Sequence, residues 1–166
     1  MEKLGQYFRL AKVIGCGLIG SLLVFAAVIE TLKSIPTESQ GLLSPSLIEM
    51  LRYLLLGVSV IEFFVIRFIR KMILSSAPRA DLSRGGDLTA IRVQKLFVAS
   101  IISMAFCEAV AIYGLVLFIV GRDSFDFYLF TFLSLIFFYV YFPRYPQWEA
   151  WVNSRDPGQS VQGSLP

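Results

Sequence analysis

The chain is organised around residues 96–120, which read LFVASIISMAFCEAVAIYGLVLFIV. Glu108, near the centre of this stretch, is its only Asp, Glu, Lys or Arg residue. An α-helix rises about 1.5 Å per residue, so roughly 20 residues cross the hydrocarbon core of a bilayer. Residues 96–120 are therefore predicted to form a transmembrane helix. A carboxyl group at that depth is costly to keep, which makes Glu108 a candidate functional residue.

The composition of the whole chain extends this prediction to the fold class. Of 166 residues, 56% are hydrophobic and 16% are charged, whereas soluble domains carry about 25% charged residues. We predict an all-α fold, an integral membrane bundle of four transmembrane helices, as one domain over residues 1–152. The predicted spans are about 13–33, 47–69, 96–120 and 125–142. The remaining residues, 153–166, are rich in Gly, Ser, Pro and Gln and are predicted to be a disordered tail.

Basic residues beside the predicted spans indicate the orientation. The connection between the second and third spans gathers seven of them: Arg67, Arg70, Lys71, Arg79, Arg84, Arg92 and Lys95. The first connection has only Lys33 and Arg52, and the third has only Arg122. Basic loops stay on the cytoplasmic side, which places the second connection there. With four spans, both termini lie on the same side as that connection and are predicted to be cytoplasmic. The net charge of +3 thus reports topology, and no nucleic-acid partner is expected.

The residue types that are missing argue against an enzyme. The sequence has no His, the commonest metal ligand and general base. Cys16 and Cys107 both fall inside predicted spans, where we interpret them as small buried residues and not as a disulfide or metal pair. The chain also lacks a nucleophile elbow and a phosphate-binding loop. We predict a non-catalytic protein without cofactor or metal.

Glu108 lies beside a stripe of small residues on the predicted third span. At about 100° per residue one face collects these residues: Ser100, Ser103, Cys107, Ala111 and Gly114. Such stripes pack against neighbouring helices, so Glu108 is expected at a helix interface. No basic residue is expected at its depth, and desolvation then favours the protonated carboxyl. Ser134 and Thr131 of the fourth span are the predicted hydrogen-bond partners.

Glu62, in the second span, is the second candidate proton-binding residue. It lies nearer the cytoplasmic end than Glu108, within reach of a water-filled crevice or a basic neighbour, although a structural role is the alternative. Glu30, Glu49 and Arg52 fall near the outer interface, where a surface ion pair of small energy is expected.

Two further features concern packing and the membrane interface. Gly17 and Ser21 on the first span form a small-xxx-small pair, a common and weakly specific packing signal. After the fourth span, Tyr145, Trp148 and Trp151 are predicted to be interfacial anchors, because aromatic rings favour the headgroup region.

The segment Cys107-Glu108-Ala109-Val110-Ala111-Ile112-Tyr113-Gly114-Leu115-Val116 resembles the proton-carrying helix of the proteolipid, or c, subunits of rotary ATPases. The resemblance implies that Glu108 is the proton-binding carboxyl and that Tyr113 and Gly114 support it. The chain as a whole is similar to uncharacterised four-span bacterial inner-membrane proteins. That similarity implies a multi-pass protein of the bacterial cytoplasmic membrane.

Three hypotheses for function follow. The leading one is an accessory or assembly subunit within a larger membrane complex, whose partners are membrane lipids and other integral membrane subunits or further copies of this chain. The alternative is a proteolipid-like proton-translocating subunit that uses Glu108. The third is a lipid or quinone site between spans, with Glu108 or Glu62 at its polar end.

Overall fold

A computed structural model describes residues 2–34, 43–75 and 88–153 of the chain. Within these ranges the secondary structure is helical, without strands. The helices are α1 (Glu2–Lys33), α2 (Pro45–Ser75), α3 (Leu88–Gly121), α4 (Ser124–Tyr141) and α5 (Tyr145–Asn153). The all-α prediction is thereby confirmed. Apart from Asn153, the predicted disordered tail lies outside the described residues.

Helix α3 is the centre of the bundle, because it packs against α1, α2 and α4. The stripe of small residues predicted on it is buried throughout. Gly114 shows why small residues are needed: an added Cβ would lie 2.8 Å from the Cβ of Phe130 and 3.1 Å from backbone atoms of Phe127. Any side chain larger than hydrogen would push α4 away from α3.

Three helices are long and apolar enough to cross a membrane among the described residues: Lys3–Lys33, Ala90–Gly121 and Ser124–Tyr141. The chain is a multi-pass helical membrane protein. Helix α2 falls short of the same composition because Arg52, Glu62 and Arg67 interrupt its apolar run. The fourth span and the side on which the termini lie therefore remain predictions.

The helices exceed the predicted spans at several ends. Helix α1 begins at Glu2 rather than near residue 13, and α2 continues to Ser75. Helix α5 was not predicted as a helix. It places Trp148 against the ring of Phe8, 5.6 Å between centroids, in a cluster with Leu4 and Leu96.

This cluster corrects the prediction for Trp148. The side chain is 1% exposed, so it is a packing residue between α5, α1 and α3 and not a lipid-facing anchor. Tyr145 is partly exposed and lies over Phe8, with ring centroids 5.2 Å apart. Trp151 lies in α5, but its side chain is outside the described part of the structure.

Helix α1 presents two different faces. A Cβ on Gly15 would meet the sulfur of Met104 at 2.7 Å and the ring of Phe142 at 2.9 Å, so α1 and α3 approach closely there. Gly17 is exposed and has no atom within 4 Å of such a Cβ. Gly17 thus makes no close helix contact within the described part of the chain, whereas Ser21 faces α3 through its hydroxyl. Of this pair, Gly17 therefore lies on the open face of α1 and Ser21 on the face that packs against α3.

Candidate functional site: two carboxyl groups within the helix bundle

Glu108 lies at the contact between α1 and α3, where Ser21 donates a hydrogen bond to its Oε1 at 2.5 Å. The same Oγ atom lies 2.6 Å from the carbonyl oxygen of Leu18. The carboxyl group is half-buried. We call this pair, Glu108 and Ser21, the Glu108 site. It joins the helix that is richest in glycine to the central helix of the bundle.

The Ser21 hydroxyl of the Glu108 site lies between two acceptors. A serine hydroxyl has one proton to donate, yet Ser21 has two acceptors within hydrogen-bond distance. Both contacts are complete hydrogen bonds only when one of the partners supplies a second proton. The carbonyl of Leu18 cannot do so, but a protonated Glu108 can. The Oγ atom of Ser21 is thus shared between a carbonyl of its own helix and the carboxyl of Glu108.

The structure places Ser21 on Glu108, where the sequence predicted Ser134 and Thr131. Ser134 is buried and donates to the carbonyl of Cys107 at 2.6 Å. Helix α4 covers the Cys107 side of α3, whereas Glu108 points towards α1. The Oγ1 atom of Thr131 is buried without a hydrogen-bond partner among the described residues. The error lay in choosing α4 as the neighbour of Glu108.

Glu62 forms a second site with a residue that was assigned to Glu108. The hydroxyl of Tyr113 donates to Oε1 of Glu62 at 2.5 Å, which joins α3 to α2. Glu62 is only 8% exposed, and its Oε2 atom is buried without a hydrogen-bond partner among the described residues. We call this pair, Glu62 and Tyr113, the Glu62 site. Burial in the bundle is the observed environment of Glu62, in place of the expected crevice or basic neighbour.

The two sites use different faces of α3. Glu108 and Tyr113 are five residues apart, which corresponds to about 140° around a helix of 3.6 residues per turn. Glu108 therefore meets α1, while Tyr113 reaches α2. The supporting role that the family resemblance implied for Tyr113 belongs here to Glu62. Gly114 likewise serves the contact with α4 and does not touch the carboxyl of Glu108.

A buried ion pair lies at the end of the bundle that contains the α3–α4 turn. The Nε atom of Arg52 is 2.5 Å from Oδ1 of Asp126, and its Nη2 atom donates to Oδ2 at 3.0 Å. Asp126 is fully buried. Asp123, at 3.5 Å from Arg52, is half-exposed and also caps α4 by accepting from the amide of Phe125. The expected surface ion pair of Arg52 is thus a buried pair between α2 and α4.

Sequence reasoning did not single out Asp126. A signal was available, because Asp123 and Asp126 stand in the turn and first helical turn where Asp side chains cap helices. Only the packing of α2 against this end shows that Asp126 has a cationic partner. The neighbouring Glu30 stays exposed, where it binds Lys33 at 2.8 Å and accepts from the hydroxyl of Tyr128.

Comparison with known proteins supports the local resemblance. A family model that describes the C subunit of ATP synthase matches residues 83–120, the segment that includes Glu108, Tyr113 and Gly114. The match confirms the short resemblance to the rotary-ATPase proteolipid. No curated protein and no solved structure matches the chain.

Proposed function

We propose that this chain is a non-catalytic, proteolipid-like membrane subunit in which Glu108 binds and releases a proton at the contact between α1 and α3. The observation that carries the proposal is the Ser21 hydroxyl, which lies 2.5 Å from a half-buried carboxyl. The carboxyl belongs to the segment that matches the ATP synthase proteolipid family. A protonated carboxyl at this position needs no counter-ion, and its partial exposure leaves it within reach of a partner subunit.

The proposal includes the membrane setting. Helix α2 would be the fourth span, with both termini and the basic connection after α2 in the cytoplasm of a bacterium. Its Arg52 and Glu62 would enter the bilayer already paired with Asp126 and Tyr113. Polar side chains in a membrane are tolerated where they face the bundle and have partners, which is the arrangement of both residues.

A second candidate function is that of an accessory or assembly subunit that exchanges no proton. The open face of α1 favours it. Cys16, in contrast to the prediction that it is buried, is exposed, as is Gly17. Nothing lies within 4 Å of a Cβ placed on Gly17 or Gly20. Small residues let another helix approach closely. Another integral membrane subunit, or a second copy of the chain, would pack on this face.

Carbodiimide labelling separates the two functions, because the reagent modifies protonated carboxyl groups in membranes. We expect fast modification of Glu108 that slows as the pH is raised, and its loss in Glu108→Gln. Glu62→Gln is the matched control, since it removes a second glutamate carboxyl that contacts α3. Peptide mapping of labelled membranes would locate the modified residue.

The opposite result would support the accessory role. If Glu108 stays unlabelled while Glu108→Gln is inserted and assembled like the wild type, proton exchange at this residue is rejected. The accessory role then predicts that the solubilised protein co-purifies with other membrane proteins. A partner-free monomer after gentle extraction would contradict that role as well.

A further inference from the structure

A groove of about 440 Å³ runs along the outside of α4 next to α1. It is lined by Ile19, Leu135, Phe138, Tyr139, Phe142 and Arg144. Its volume lies within the range of about 300–1,000 Å³ that is typical of small-molecule sites. The groove is separate from both carboxyl sites, since neither Glu108 nor Glu62 lines it.

The long wall of the groove comes from one face of α4. Leu135, Phe138, Tyr139 and Phe142 follow each other at intervals of three, one and three residues, so they share a helix face that extends about 10 Å along the axis. Phe138 is buried, whereas Leu135 is 42% exposed and Tyr139 is 75% exposed. The groove is therefore open on the side that faces the lipid, and its wall is long enough for part of an acyl chain.

One end of the groove carries a positive charge. Arg144 stands between α4 and α5, and its guanidinium lies over the ring of Tyr139, 5.6 Å from the centroid. Its backbone carbonyl accepts from the amides of Gln147 and Trp148 in the first turn of α5, which fixes the residue in place. Arg144 is exposed, and no carboxylate of the described residues forms a salt bridge with it. The cation is thus available to a ligand at the polar end of an apolar groove.

We propose that this groove binds one anionic phospholipid, with an acyl chain along α4 and the headgroup phosphate on Arg144. The end of a membrane-spanning helix is the level at which phosphates of the bilayer lie. A guanidinium can donate two hydrogen bonds to a phosphate. A neutral quinone would fill the apolar part equally well, but it would leave Arg144 without an anion. The charge therefore selects the lipid.

Native mass spectrometry of the full chain in detergent tests the proposal. Delipidated protein is mixed with equal amounts of phosphatidylglycerol and phosphatidylcholine that have the same acyl chains, and the bound lipids are counted. We expect one retained phosphatidylglycerol and a clear preference over phosphatidylcholine. In Arg144→Gln the preference should fall about five-fold, which is the contribution of one basic side chain near a membrane phosphate.

Three controls make the outcome specific. Arg144→Lys should keep most of the preference, and Arg122→Gln, the same charge change at the opposite end of α4, should keep all of it. Leu135→Trp should reduce retention of both lipids by filling the groove. Added inorganic phosphate should not displace the lipid.

Several results would overturn the proposal. These are an unchanged preference in Arg144→Gln, an equal loss in Arg122→Gln, full retention in Leu135→Trp, or displacement by phosphate alone. Arg144 and Leu135 are exposed, so their variants are expected to fold, and far-UV circular dichroism checks this. Since neither residue contacts Glu108, carbodiimide labelling of that carboxyl should be unchanged in both variants. Failure of the lipid site is therefore distinguishable from failure of the proposed proton binding.

Discussion

The two sides of α3 differ in how they accommodate a carboxyl group inside the helix bundle. On the α1 side Glu108 is half-buried and shares one hydroxyl, that of Ser21, with a backbone carbonyl. On the α2 side Glu62 is buried, held by the hydroxyl of Tyr113. The buried pair of Arg52 and Asp126 anchors the same helix, α2, to α4.

This difference suggests separate roles: Glu108 is placed for proton exchange, whereas the polar contacts of α2 hold that helix in the bundle. A half-buried carboxyl at the surface of the bundle can be reached by a partner that supplies the counter-charge when the proton leaves. A carboxyl inside the bundle loses its proton at a higher cost, because an unpaired buried charge is strongly destabilising. We therefore expect Glu108 to tolerate substitution in the fold and to matter for function, and the α2 side to matter for stability.

The largest loss of stability should come from breaking the ion pair between Arg52 of α2 and Asp126 of α4. Asp126→Asn removes the charge that compensates Arg52, and we expect the free energy of unfolding to fall by about 3 kcal/mol. This loss is at the lower end of the range for breaking a buried ion pair, because the Arg52 side chain is 26% exposed. Unfolding in sodium dodecyl sulfate, followed by helicity, measures it. Asp123→Asn is the control, since Asp123 is half-exposed and Asn still caps α4. Equal losses in both variants would mean that burial of Asp126 contributes nothing.

A smaller effect should follow from removing the partner of Glu62. Tyr113→Phe keeps the ring but leaves both carboxyl oxygens of Glu62 without a hydrogen bond from the described residues, at a cost of about 2 kcal/mol. The same unfolding assay applies. Tyr128→Phe removes a similar bond to an exposed Glu30 and should change stability much less, because solvent screens an exposed pair. A Tyr113→Phe variant as stable as Tyr128→Phe would contradict the burial of Glu62.

The smallest effect is expected at the Glu108 site. Ser21→Ala removes the hydroxyl on Glu108 and should lower stability by about 0.6 kcal/mol, the average for hydrogen bonds between membrane helices. Ser75→Ala is the matched control, since the Ser75 hydroxyl also donates to the carbonyl three residues earlier but has no carboxyl partner. If Ser21→Ala lost more stability than Tyr113→Phe, Glu108 and not Glu62 would be the carboxyl that stabilises the fold.

Much of the fold could be predicted from residue patterns. Long apolar runs predict helices in a membrane, because only a helix satisfies all its backbone groups within one segment. Three of the four predicted spans, those of α1, α3 and α4, lie in helices with the length and composition to cross a bilayer. The segment around Glu108 was also recognisable, because its residues match the proteolipid pattern.

The partners of the polar groups could not be predicted. Helical periodicity places residues on a face but does not say which helix covers that face. Ser134 and Thr131 of α4 were predicted for Glu108 because they lie near its depth, whereas α1 supplies Ser21. Trp148 shows the same limit: its aromatic surroundings in the sequence predict an interfacial anchor, yet α5 folds back and buries it against α1 and α3.

Hydropathy and segment length act within a single stretch of chain, so they are enough to identify a helical membrane protein with one carboxyl in the middle of its most apolar stretch. The contacts of Glu108 with Ser21, of Glu62 with Tyr113 and of Arg52 with Asp126 follow only from how the helices pack. Each of these pairs joins residues that are far apart along the chain, and side-chain hydrogen bonds at that separation depend on which helices pack together and at what rotation.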